Sequence, residues 1–503
     1  MNWFKRNAAG EDAETLLGFI LRNTDDDGRY NGLMLPNTRP ISEDPLMFWS
    51  PGGKEGLIPA GRKGENPKQE KEIRILLNSA LTNPDRRLDL YTKALEYNVI
   101  SYCEPLIESL VDGVEDTASE LLSLAVWLIS ESFDSEPMKL GISLLTLFKV
   151  DQISINNGTS LQDILLAIGK CPEFSYYVLW VFRANNYSNR LIFELAKYTT
   201  GWGKLFTVVA LEPETEEIRE WLLIHGLDDI EHPLELSTGI AEKSDIGFFL
   251  KQQMIPYNMY RAATKLLGFI EAKRDLDSLD NIQGILLDYF RLSCEHCSDL
   301  YELMHIIRLR DYALDKENRI FWNDEMLGDM MESIEIIEKK KNWDELIWQE
   351  LCADSRAKIY CAKWLAQYKG FDIYDTIMEE LEKNPLKIDI YSELFMTEDM
   401  QRLGKVLEIA EKNIDIYMQT DDYTATIVTE GLKTHPYMGQ IIIEKMLRSE
   451  GHLHIATALD VIEAWGTDYV PICIQESLIE ALTITRNDRN QQRIQKLLNT
   501  TEK

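Results

Sequence analysis

The chain has 503 residues, 45% of them hydrophobic and 27% charged, so it can bury a large core and wholesale disorder is excluded. Its 84 acidic and 53 basic side chains leave a formal net charge of −31. Such a field repels polyanions, which argues against nucleic acid as the main ligand and leaves either a basic partner or a well-solvated surface.

From the N-terminus, Lys5 and Arg6 are followed by acidic residues before any apolar run, so no secretory signal is expected. No run of about 18 apolar residues occurs, and no membrane span is expected. Seven cysteines lie scattered at 103, 171, 294, 297, 352, 361 and 473, a pattern of reduced thiols and not a disulfide framework. The expected compartment is therefore cytoplasmic.

Residues 13–22, AETLLGFILR, predict one short amphipathic helix within an N-terminal segment, 1–23. Residues 24–68 then carry glycines at 28, 32, 52, 53, 56, 61 and 64 and prolines at 36, 40, 45, 51, 59 and 67. That density predicts a Gly/Pro-rich arm over 24–70 without helix or strand. Leu46, Met47, Phe48 and Trp49 are four adjacent large apolar side chains inside it. They are expected to dock, either on the chain's own first repeat or as anchors on a partner.

From about residue 71 to the end, apolar positions recur with helical spacing and period-2 alternation is lacking. Trp202, Leu205, Phe206 and Val209 follow i, i+3, i+4, i+7. So do Ile218, Trp221, Leu222 and His225; Leu300, Leu303, Met304 and Ile307; and Ile455, Ala458, Leu459 and Ile462. Glu212-Pro213 is read as a helix start, Gly226-Leu227 and Gly466 as helix stops, and Asp299 with Glu302 as a capping box. The segment EFSYYVLWVFR, 173–183, is apolar on nearly every face and is expected to lie between other helices. Roughly twenty helices with short connections imply stacked pairs of roughly 35–45 residues each.

The window GWGKLFTVVALEPETEEIREWLLIHGL, 201–227, resembles a HEAT repeat. Pro213 matches the turn of that family, and Ile218-Arg219 match the Val/Ile-Arg pair of the second helix. Leu222 stands where a small residue is usual, and the helix ends Ile224-His225-Gly226. The resemblance implies an all-α fold, an α-α superhelix of HEAT/armadillo type over 71–503. By analogy it implies a scaffold that holds another macromolecule.

Chemistry is sparse. Cys294-Glu-His-Cys297 offers one metal-ligand pair where a structural zinc site needs two. It follows a helix, where a redox CxxC usually opens one, and Glu295 would raise a thiol pKa. Leu286, Phe290, Cys294 and Cys297 continue one helical face, so packing is the simpler reading, with Cys294 and Cys297 kept as candidate ligands. His225 falls on an apolar face and reads as a core histidine. His305 projects away from the Leu300–Ile307 stripe. Trp343 and Trp348, five apart, do not share a face. Acidic pairs such as Asp228-Asp229 are ordinary on solvated helices. No phosphate loop, nucleophile elbow or His-Glu-x-x-His motif occurs, and no catalytic residue, cofactor or metal is assigned. The expected function is a non-catalytic protein–protein interaction scaffold whose acidic surface holds a protein partner. The alternatives are a helical-repeat enzyme or small-molecule binder, and an inhibitor or immunity-type binder of a basic protein.

Overall fold

The computed structural model describes residues 14–25, 28–38, 50–57, 66–155, 159–185, 189–395, 399–415, 422–449, 451–466 and 470–501. Leu46, Met47, Phe48 and Trp49 lie outside the described residues. The described chain is almost entirely helical, with one hairpin of two-residue strands, Ser154–Ile155 and Thr159–Ser160. Among the described residues no helix is long and apolar enough to cross a membrane. Two compact units are present: one comprises 1–296 and 312–327, the other 297–311 and 328–503.

In the first unit, neighbouring and next-but-one helices pack together. Val114–Glu131 lies on Ser135–Leu144, and Pro172–Ala184 touches Leu161–Gly169, Ser135–Leu144 and Gly201–Ala210. The last helix is surrounded as its composition requires. Phe174, Tyr177, Val178, Val181 and Phe182 are all fully buried. Each such side chain contributes about 1.5–3 kcal/mol through removal of apolar area from water.

The stripe expected on Gly201–Ala210 is rotated. Val209 is exposed, whereas Gly203, Lys204, Thr207 and Val208 are buried. The cause is close approach: a Cβ at Gly203 would stand 2.5 Å from Ser175 Oγ and 3.0 Å from Pro172 Cα. Gly203 lets the two backbones approach, and the Phe206 ring packs edge-on against Tyr176 of the same helix, Pro172–Ala184.

The next helix starts later than Glu212-Pro213 suggests. It spans Glu216–His225, and the Thr215 hydroxyl accepts from Ile218 N–H. Gly226 closes it at φ −61°, so no left-handed turn is involved. Glycine is needed there for space, because a Cβ would press on the Leu222 carbonyl and on Ile240. Gly466, at φ +101°, does take a backbone conformation suited to glycine.

Among its described residues the arm contains a short helix, Gly53–Leu57, where none was expected. A further helix, Pro67–Thr82, opens on proline, with the Asn66 side chain accepting from Gln69 N–H. An isolated bridge pairs Thr24 with Tyr30.

In the second unit alternate helices stack. Ile388–Leu394 lies on Asp422–Gly431, which lies on His452–Trp465, which lies on Asp488–Thr501. The capping at Asp299 is present: its carboxylate accepts from Glu302 N–H at 2.9 Å, while Glu302 accepts from Ser298 N–H at 2.7 Å. Leu300, Leu303, Met304 and Ile307 are buried, but so are Glu302 and His305, and the His305 ring meets Tyr301 edge-on. Trp343 is buried and donates to the Ile337 carbonyl, whereas Trp348 is partly exposed and stacks on Phe371.

Candidate functional site

Cys294 is half-buried near the end of the helix Ile282–His296, its thiol 3.5 Å from the Phe290 carbonyl. Cys297 lies beyond the helix end and is buried, and burial pushes its thiol well above the ordinary range. A thiol so raised is the opposite of a redox nucleophile. Among the described residues no group of three or more His, Cys, Asp or Glu is placed to hold a metal ion, and none of the seven cysteines is in a disulfide. His225 is exposed, and its Nδ1 is 3.0 Å from Asp228. It is not the core histidine its helical position suggested, because the buried face turns instead toward Leu222 and Leu223.

Three places in the first unit concentrate charge, two of them around open space. The largest is an open groove of about 860 Å³ between the turn at Asp245 and the turn at Asn281. Asp245 ends the helix Pro233–Ser244 and begins Ile246–Leu250 with no linker. It sits at φ +56° and its carboxylate accepts from Phe248 N–H. Aspartate tolerates this left-handed geometry and caps a helix as well, so one residue makes the corner. Asn281, also at φ +56°, makes the opposite corner before Ile282–His296. The corners leave Glu242, Asp245, Asp280 and Asp288 on the groove, with exposed Phe248 among them and Lys251 as the cation.

The second place is a cleft of about 640 Å³ where the helix Gly201–Ala210 begins. Lys204 is buried in it, 4.2 Å from the Trp221 ring, and donates to the Ala196 carbonyl at 3.0 Å. Burial holds its ammonium down at about 8, with Arg29 adding to the depression and Asp228 and Asp229 opposing it. Asp228 is engaged by His225 and, at 3.5 Å, by Lys265.

The third is a sealed ionic cluster. Lys139, fully buried, is 2.5 Å from Glu173, 2.8 Å from Glu55 and 3.4 Å from Glu136. Glu55 belongs to the short arm helix and is also bonded by the Tyr177 hydroxyl at 3.0 Å. Its other oxygen, Oε2, has no hydrogen-bond partner among the described residues, and burial raises its pKa. Lys54 reaches Glu136 at 3.2 Å, and Gly52 N–H donates to Glu173. The cluster therefore fastens residues 50–57 to the helices behind them.

Comparison of the chain with protein-family models, with curated proteins and with solved structures gave no match. The chemistry of these three places therefore carries the functional argument.

Neither Lys204 nor Glu55 was singled out from the sequence. A lysine between Gly203 and Leu205 lies off the apolar stripe and reads as solvated. The available signal was the small-residue face Gly203–Thr207, which turns Lys204 inward. Asp228-Asp229 do lie on solvated backbone, but they border the cleft.

Proposed function

We propose that the chain is a non-catalytic interaction scaffold, a Gly/Pro-rich arm over 24–70 followed by a HEAT/armadillo-like superhelix over 71–503. Its acidic surface holds a basic segment of a partner protein. The observation that carries this reading is the groove between Asp245 and Asn281. Four carboxylates line it around an exposed phenylalanine, on a chain of net charge −31; Asp245 is paired with Arg219 and Asp288 with Arg291, which leaves Glu242 and Asp280 to meet a partner. Clustered carboxylates steer a cationic segment to the surface, and Phe248 supplies an apolar contact once it arrives. Leu46, Met47, Phe48 and Trp49 are proposed as a second, apolar anchor for the same partner.

The test is capture of a stoichiometric partner from native extract at low salt, by the wild-type chain and by the double variant Glu242→Lys/Asp280→Lys. Both positions are exposed. The reading expects a partner that the double variant loses and that salt releases steeply. It is overturned if no partner is recovered at low salt, or if the double variant captures it equally well.

A further inference from the structure

The cleft at Lys204 reverses the charge of its surroundings. On a chain of net charge −31 it gathers Arg29, Lys197, Lys204 and Lys265 against Asp228 and Asp229. Asp228 is already committed to His225 and Lys265. Lys197 is paired with Glu194 at 3.0 Å. That leaves Lys204 and Arg29, neither of which is in an ion pair among the described residues. They lie close enough that Arg29 disfavours the charge on Lys204. Burying a cation costs free energy unless an anion meets it, and a second cation nearby adds to that cost.

The backbone on either side of the pair is hydrogen-bonded. Arg29 is held in a tight turn, where its N–H donates to Asp25 Oδ1 at 2.7 Å and its carbonyl accepts from Asp25 N–H. The helix Gly201–Ala210 starts at the cleft, and its N-cap residue Thr200 makes no side-chain capping bond. The start of that helix, its Gly201 N–H donating to the Asp229 carbonyl, and the Thr200 hydroxyl therefore stand beside two cations held in no ion pair among the described residues, with Asp228 and Asp229 as the anions that act on Lys204.

We propose that this cleft binds a small phosphate-bearing anion, with Lys204 and Arg29 as its charged ligands and Thr200 as a hydroxyl donor. The anion occupies the gap between the two cations. Lys204 then donates to it while keeping its contact with Trp221. Asp229 limits the site to a ligand that presents its negative charge toward Lys204 and Arg29. The proposal is independent of the acidic groove.

Calorimetric titration of the full chain with inorganic phosphate at low ionic strength tests it. One saturable site is expected. Arg29→Gln and Lys204→Met should each weaken it by roughly 10–100-fold, the value of a hydrogen bond to a charged group. Arg29 is exposed, so its replacement leaves the fold intact. Glycerol 3-phosphate should compete for the same site. Tighter binding of glycerol 3-phosphate than of phosphate assigns an organic monoester as the ligand, and equal binding assigns free phosphate. Glu242→Lys/Asp280→Lys should leave phosphate binding unchanged, which separates this site from the groove. Absence of a saturable site, or wild-type affinity in Arg29→Gln, overturns the proposal.

Discussion

Glu55, in a five-residue helix of the arm, places a carboxylate oxygen 2.8 Å from the ammonium of Lys139, and both side chains are almost wholly excluded from solvent. They are 84 positions apart in the chain. Lys139 is the shared cation of three glutamates, and their combined attraction holds its pKa well above the ordinary lysine range despite burial. Removing the cation while leaving the carboxylates is the costly change. Lys139→Met should destabilise the first unit by about 3–5 kcal/mol. Glu55→Gln should cost far less, since it keeps a polar group for Tyr177 and relieves the excess of negative charge. Denaturant unfolding of the two variants checks the order. Equal losses would show that the ion pair, and not the unbalanced carboxylates, sets the cost.

Segment 50–57 also depends on the lack of a side chain at Gly56. A Cβ there would overlap the Trp202 ring. The Trp202 indole N–H in turn donates to Ser50 Oγ at 3.0 Å. Gly56→Ala should release this segment from Trp202, seen as a red shift of tryptophan emission and faster proteolysis between 50 and 57. Unchanged cleavage would mean that the ring moves aside at little cost.

Lys204 makes stability depend on pH in a definite direction. Its folded pKa is about 8, below the ordinary lysine value of 10.5. Below about 8 both folded and unfolded chains carry the proton, and the folded state bears the full cost of the buried charge. Between about 8 and 10.5 the unfolded chain binds more protons, so stability rises with pH, by on the order of 3 kcal/mol in total. Lys204→Met should abolish this rise and be more stable than wild type at pH 7. Saturating phosphate should have the opposite linkage, stabilising most below pH 8. Unfolding curves measured from pH 7 to 10.5 give both results.

The corner at Asp245 calls for a residue that accepts φ +56° and also caps the following helix. Asparagine does both, glycine only the first and alanine neither. Stability should therefore fall in the order Asp245→Asn, Asp245→Gly, Asp245→Ala. The alanine variant should lose about 1–3 kcal/mol from strain and the lost cap together. An alanine variant as stable as asparagine would show that the corner is set by its neighbours.

Much of the helical architecture was legible because it depends on local period. The faces Leu300–Ile307 and Ile455–Ile462 are buried as their spacing requires, and the fully apolar 173–183 lies among other helices. The capping at Asp299 and Glu302 could likewise be read, since its groups are three residues apart. The readings that failed concern faces made of small residues. Gly201–Ala210 set Gly203 against Ser175 and Pro172, a choice governed by how closely two backbones can approach. Lys204, next to Gly203, is buried, and His225 on the following helix is exposed because that helix buries Ile218, Leu222 and Leu223 instead.

The sequence by itself determined an acidic, all-helical chain with a glycine- and proline-rich segment before its helices. Composition, period and capping act within a few residues and need no knowledge of distant partners. Only the tertiary structure decided where charge would be concentrated. Lys139 meets Glu55 across 84 positions, Arg29 and Lys204 line one cleft, and Asp245 stands opposite Asn281 across a groove. Each of these depends on which helices approach closely, and electrostatic energy between side chains follows separation in space, not along the chain.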